Sequence, residues 1–350
     1  MKAIKYNGPQ NLQLINIEKP VPKRGEVLVR IVYCGICGTD VHAYTHPGIY
    51  KSELIPGHES VGIVEEVGEG VTCVSVGDRV AVGPPGDCGQ CYSCNTGHPN
   101  TCPNAFPETL GIGPGTQGAF AEYILSKHPQ NELFLLPEGM KMEQAVLFDL
   151  IGVGFHAVRR SALKLGDTAV VFGCGSVGLS VIQSAKLAGA RCVIAFDMNP
   201  LTFERAKASG ADFCFSPSDE NMEEAMKLLS HQGGAHVCYE AAGNPAAIAG
   251  CVKMCMSNGQ IIIIGSDPRP YELVSAAMGP REYEILFSFT YTKEEIHRLF
   301  EMITSGHFRT DMFNTVKAPL EAAEKMIIDQ AQGNIDVARV LLVPGEEEQI

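Results

Sequence analysis

Gly173-Cys174-Gly175-Ser176-Val177-Gly178 follows an apolar run at 169–172 and opens a helical segment. A G-x-G-x-x-G string alone is common, but its surroundings constrain this one. Asp197 closes the next apolar run, nineteen residues after Gly178. In a strand–turn–helix–strand unit the first glycine makes the turn and the second lets a pyrophosphate approach the backbone. The third lets helix and strand pack closely, and the carboxylate receives the adenosine ribose. If the glycines served packing alone, nothing would call for an acid at the end of the following strand. Gly173, Gly175, Ser176, Val177, Gly178 and Asp197 are therefore candidate dinucleotide-binding residues. Asp197 would repel a 2′-phosphate, and Met198 and Asn199 supply no cation to hold one, so NAD is expected over NADP.

The same pattern continues on both sides of Asp197. Apolar runs at 169–172, 192–196, 213–215, 236–239, 260–264 and 285–289 alternate with helical stretches at 177–188, 201–209, 220–230 and 246–256. Six strands with intervening helices predict a parallel, doubly wound sheet. The first 150 residues read differently. They are rich in β-branched runs, such as 27–32 and 62–67, bounded by Gly and Pro turns. Beyond Tyr291, Ile296, Leu299, Phe300 and Ile303 keep helical spacing, Leu320, Ala323 and Ile327 suggest a second helix, and 339–343 reads as a final strand. Glu346-Glu347-Glu348 then reads as a solvated tail.

Charge removes some function classes. Lys and Arg total 27 against 40 Asp and Glu, a net charge of -13, which disfavours nucleic acid and anionic membranes as partners. Residues 168–185 carry no charge, yet three glycines interrupt them, so they read as strand, turn and helix and not as a membrane span. The start shows no apolar stretch of secretory type, and a cytoplasmic location is expected.

Thirteen cysteines, an odd number, do not fit a fully paired disulfide framework. Cys88, Cys91, Cys94 and Cys102 fall as C-x2-C-x2-C-x7-C in a loop without an apolar period. Four thiolates close a tetrahedral shell around a structural zinc, although an iron–sulfur cluster uses four cysteines too. A second set is mixed: Cys37, His58 and Asp149 offer one thiolate, one imidazole and one carboxylate. Singly they read as a turn thiol, a satisfied histidine and a helix cap. Together they suit a catalytic zinc with an exchangeable fourth position, and Glu59 is either a further ligand or a group behind the ligands.

These motifs resemble the zinc-dependent medium-chain dehydrogenase/reductases, the alcohol dehydrogenase superfamily, over essentially the whole chain. The matching segments are Gly35–Asp40, Gly57-His58-Glu59, the four-cysteine loop, Gly173–Gly178, Asp197 and the run from Asp149 to Ala157. A carboxylate as third ligand is similar to the sorbitol, threonine and secondary-alcohol dehydrogenase branch. The resemblance implies a β-rich GroES-like catalytic domain over 1–152, an NAD-binding Rossmann domain over 153–290, and a segment at 291–350 returning to the catalytic domain. It implies two zinc ions per chain, NAD, and a homodimer or homotetramer acting on a small alcohol or ketone. Cys37, His58 and Asp149 would hold the catalytic zinc, with Glu59 able to approach it. Thr39 would contact the substrate oxygen and His42 would pass the proton to solvent. Arg339 would touch the pyrophosphate, while Ala242, Gly265, Ser266 and Phe287 would line the nicotinamide. Sorbitol-type members commonly carry an Arg-Tyr pair in the segment corresponding to Phe287-Ser288-Phe289, where this chain has no arginine, which points away from a sorbitol-like polyol and toward a smaller or less polar alcohol.

The function expected is thus hydride transfer between NAD and a secondary alcohol or polyol-type substrate. Amino alcohols of the threonine kind and sugar phosphates are alternatives within the family. A zinc-containing, NAD-responsive sensor is an alternative of another class, and the absence of a basic patch near the four cysteines weighs against it. Intact Cys37, His58, Asp149 and Glu59 weigh against a zinc-free reductase.

Overall fold

Each β-branched run of the first 150 residues becomes a strand because one or both of its faces can be buried. The computed structural model describes residues 1–345 apart from 51–52, 84–86, 115, 230, 232 and 268. Glu346-Glu347-Glu348, and the last residue of the helix expected at 220–230, lie outside the described residues. The chain forms two units. One comprises Met1–Asp149, Thr292–His307 and Asn314–Ile350, and the other comprises Leu150–Tyr291 and Phe308–Phe313.

In the first unit the strands Val27–Gly35 and Glu59–Val67 pair antiparallel at the centre of a seven-stranded sheet. Val27, Val29, Ile31, Val64, Val80, Phe120 and Ile124 fill one buried cluster beneath it. The strand Arg339–Val343 inserts between Thr315–Pro319, to which it is parallel, and Val27–Gly35, to which it is antiparallel. Gly35 pairs with Glu59 on one side and Leu341 on the other, so the ends of two strands meet the middle of a third at one place.

The second unit holds six parallel strands in the spatial order Phe213–Phe215, Cys192–Phe196, Thr168–Phe172, Ala235–Glu240, Cys255–Ile263 and Glu284–Phe287. In chain order that is 3-2-1-4-5-6, the doubly wound arrangement expected. Its order reverses between Thr168–Phe172 and Ala235–Glu240, so a ligand crevice opens at the carboxyl ends of those two strands. Thr168–Phe172 is buried throughout, as a strand covered by helices on both faces must be. The stretch without charges is this strand followed by the helix Ser176–Leu187. Among the described residues no helix is long and apolar enough to cross a membrane.

One element departs from expectation. The helix read to residue 256 ends at Met254, and the next strand starts at Cys255. Ser257, Asn258 and Gly259 break the apolar pattern there, and Asn258 adopts a left-handed φ of 59°. The strand continues through them because its pairing shifts register between Ala235 and Val237.

Candidate functional site

Cys37 caps the helix Gly38–Thr45, which leaves the end of the central strand Val27–Gly35. Asp40 holds it there: its Oδ2 accepts the Cys37 backbone N–H at 2.7 Å, and its Oδ1 accepts the Tyr50 hydroxyl at 2.5 Å. Asp40 and Tyr50 are both buried. Glu59 begins the neighbouring strand and His58 immediately precedes it, and one ligand atom each from Cys37, His58 and Glu59 lies within 4.8 Å of the others. The donor set is sulfur, nitrogen and oxygen, which suits zinc.

The polar atoms of this cluster are otherwise idle. His58 Nδ1 and both carboxylate oxygens of Glu59 are buried without hydrogen bonds. Arg339 Nε stands 3.0 Å from Glu59 Oε2, an ion pair whose angles are not those of a hydrogen bond, and Arg339 donates instead to the Ile36 carbonyl at 2.9 Å. Burial pushes the Cys37 thiol and the Glu59 carboxyl up, and the Arg339 guanidinium opposes both. An orphaned, desolvated set of this kind fits a cation better than it fits an apolar core.

Asp149, in the first turn of the helix Phe148–Arg160, lies outside that close group of three. It is buried, and its charge reaches Cys37, Glu59 and Arg339. The carboxylate within the close group is Glu59. Arg339, expected beside a pyrophosphate, has Glu59 and the Ile36 carbonyl as its described partners.

Thr39 Oγ1 lies 3.7 Å from Cys37 Sγ. His42 is one helical turn further on the same face and exposed, with its ring 6.4 Å from that of His46. A hydroxyl beside the ligand cluster is thus followed by a titratable ring at the solvent. Tyr50 is buried, and its hydroxyl is committed to Asp40.

The four-cysteine loop is a separate centre. One sulfur from each of Cys88, Cys91, Cys94 and Cys102 lies within 4.8 Å of the others. Cys91 Sγ is 3.4 Å from Cys94 Sγ and 3.7 Å from Cys102 Sγ. A tetrahedron with Zn–S bonds of ~2.3 Å has edges of roughly 3.8 Å, whereas a disulfide needs ~2.05 Å. All thirteen cysteines are free. Asn104 donates to Cys88 Sγ at 3.4 Å and, with the Gln90 and Cys91 backbone, lowers that thiol to about 6.

The second unit places the glycine loop at the crevice. Gly173 has φ of 99°, and a Cβ there would meet the Ala241–Ala242 backbone at 2.8 Å. A Cβ on Gly178 would sit 1.8 Å from the Gly173 carbonyl, while one on Gly175 would meet nothing within 4 Å. The first and third glycines are therefore packing requirements, and the second faces open space at the start of Ser176–Leu187, where Ser176 and Val177 begin the helix. Asp197 Oδ2 accepts the Cys174 N–H at 2.6 Å and Oδ1 accepts that of Asn199 at 2.8 Å. Each oxygen keeps a lone pair for a ribose hydroxyl.

A pocket of about 280 Å³ lies in the same unit, lined by Gly265, Ser266 and Phe287 among others. Ala242 is not on its wall; its N–H goes to Glu240 Oε1 at 2.9 Å. Glu240, wholly buried and on that wall, escaped sequence reasoning, as did Asp40. The C-x-x-D spacing of a capping box is a signal for Asp40. For Glu240 the signal is an acid ending an otherwise apolar strand.

Comparison with known proteins agrees with this geometry. Residues 23–138 match the alcohol dehydrogenase GroES-like domain family, and residues 176–305 match the zinc-binding dehydrogenase family. A sorbitol dehydrogenase of Bacillus subtilis is 32% identical, covering 98% of this chain and 97% of its own. A short chain alcohol dehydrogenase of Escherichia coli CFT073 in complex with NADH superposes with a TM-score of 0.87 at 27% identity, over 98% of this chain and 99% of the other. A structure from Sinorhizobium meliloti solved with NADP bound gives the same TM-score, identity and coverage.

Proposed function

The chain belongs to the zinc-type alcohol dehydrogenase family, and from that premise we propose that it interconverts a secondary alcohol and its ketone with NAD as hydride carrier. Its class is that of an alcohol or polyol oxidoreductase. The observation that carries the finer reading is the buried cluster of Cys37, His58 and Glu59, with idle donor atoms, beside a hydroxyl and an exposed imidazole.

Cys37 and His58 would hold the catalytic zinc with a carboxylate, Glu59 or Asp149, and the four cysteines would hold a structural zinc. Bound there, zinc supplies a Lewis acid that lowers the pKa of an alcohol hydroxyl, and the nicotinamide ring takes up the hydride. The protein's part is to bind, orient and move a proton. Thr39 Oγ1 would take the hydroxyl proton while giving up its own, which would pass by way of the nicotinamide ribose hydroxyls to His42, one turn away, and from there to solvent. Gly175 and the N-terminus of Ser176–Leu187 receive the pyrophosphate, and Asp197 receives the adenosine ribose. Arg339 is a further cation for the pyrophosphate. Ala242, Gly265, Ser266 and Phe287 belong to the loops on the nicotinamide side.

A screen of NAD reduction over simple secondary alcohols, polyols, amino alcohols and sugar phosphates, with zinc quantified per chain, tests this reading. Two zinc ions per chain and turnover strongest on small secondary alcohols are expected. Thr39→Val should lower kcat by about 10²–10⁴ with both zinc ions retained; near-normal turnover in that variant would sink the relay. Solution mass decides between the homodimer and homotetramer.

A further inference from the structure

His42 and His46 stand at the end of the helix Gly38–Thr45, and both are exposed. His46 follows the last helical residue, yet its N–H still closes the bond to the His42 carbonyl at 2.8 Å. A spacing of i, i+4 is close to one helical turn, so the two imidazoles leave the helix on one face. Their ring centroids are 6.4 Å apart, and their planes are tilted by 44°.

The His46 ring is held by its neighbour. Thr45 Oγ1 lies 2.9 Å from His46 Nδ1, and the Thr45 hydroxyl donates its single proton to the Val41 carbonyl at 2.9 Å. With that proton committed, His46 Nδ1–H is the donor and Thr45 Oγ1 the acceptor. The neutral ring then carries its lone pair on Nε2. An imidazole oriented through one nitrogen, with the other left to coordinate, is the way metal-binding histidines are held.

Two imidazoles on one tetrahedral cation, with metal–nitrogen bonds of ~2.0–2.1 Å, have their centroids roughly 5 Å apart. Side-chain rotation at the exposed His42 spans the difference from the observed separation. A net charge of -13 also draws divalent cations toward the molecule.

We propose that His42 and His46 form a surface site for a divalent cation of the imidazole-preferring kind, with Zn²⁺ favoured over Mg²⁺ and Ca²⁺. Imidazole suits zinc, copper and nickel, whereas magnesium and calcium select oxygen donors. Water completes the shell, because two histidines leave the outer positions open to solvent. This site is separate from the Cys37 cluster and from the four-cysteine loop. It is inhibitory, since a cation on His42 takes the lone pair that receives the relayed proton. The inhibition rests on the relay proposed above; the binding does not.

The test adds Zn²⁺ to holoenzyme that already holds its two zinc ions. Isothermal titration calorimetry reads binding, and NAD reduction reads turnover. Wild type should take up one further Zn²⁺ and lose turnover over the same concentrations, while Mg²⁺ should do neither. His46→Ala should turn over as wild type does without added metal. It should need at least about tenfold more Zn²⁺ for binding and for inhibition, because the two-point attachment is gone. His42→Ala should weaken binding to the same extent. Uptake of no further Zn²⁺ by wild type, or equal binding by wild type and His46→Ala, would overturn the site. A further Zn²⁺ that both variants lose, but that leaves wild-type turnover unchanged, would uphold the site and overturn both its inhibition and the relay through His42.

Discussion

Single side chains in this protein are held by partners outside the glycine and cysteine motifs. Asp40 is the clearest case, because one buried carboxylate fixes both the Cys37 backbone and the Tyr50 hydroxyl. Tyr50→Phe strips one oxygen of its donor while leaving the packing intact, and should destabilise the first unit by about 1–3 kcal/mol in a denaturant titration. Glu132 shows the opposite economy. Burial raises its carboxyl even though Ser126 and the His128 N–H donate to it. A raised carboxyl contributes stability that is complete below the ordinary carboxyl range and is lost as pH rises through the folded-state value. Glu132→Gln, which cannot ionise, should therefore match wild type near pH 4 and exceed it at pH 8. Denaturation midpoints at the two pH values check this, and a gap that widens toward acid would refute the assignment. Such residues were hard to read from the sequence because their partners, although near in the chain, are a backbone N–H or a hydroxyl that only the folded loop turns toward the carboxyl. The four cysteines were legible because local spacing alone brings their chemistry into view, whereas Cys37 and His58 read as ligands only when taken together with a distant carboxylate and with the family resemblance. Which carboxylate sits closest was not legible, since Glu59 and Asp149 reach the cluster from different elements.

At the scale of elements, the glycine loop separates two kinds of glycine. Gly178 touches the Gly173 carbonyl, whereas Gly175 faces open space. Gly178→Ala should cost about 1–3 kcal/mol of stability through overpacking, read as a lowered melting temperature. Gly175→Ala should melt near wild type yet bind NADH at least about tenfold more weakly, because its methyl group occupies the space meant for phosphate. The six strands of this unit were legible because buried parallel strands are short apolar runs between helices. The start of the strand at Cys255 was not, because Ser257, Asn258 and Gly259 carry a bulge in place of an apolar period. The metal loop obeys a different rule. With little core of its own, the segment around Cys88–Cys102 depends on its sulfur ligands. Cys94→Ser should lose one zinc of two and leave the loop open to proteolysis, as mass spectrometry of the digest would show.

At the scale of the whole molecule, sequence order and spatial order diverge in the first unit. Its central strand Val27–Gly35 is flanked by Arg339–Val343, which enters from the far end of the chain. Hydrophobic pattern shows that 339–343 is a strand but not which sheet receives it. A chain cut after Ala338 loses a central strand and the Arg339 guanidinium together, and should fail to accumulate as folded protein, measured by expression and circular dichroism.

The pairing of Arg339 with Glu59 also imposes an order of events during synthesis. Cys37, His58 and Glu59 leave the ribosome some 280 residues before Arg339 does. Until then the Glu59 carboxylate has no guanidinium beside it and no finished sheet to enclose it. The side chains of the candidate metal site are therefore all made long before the strand whose arginine stands against one of them.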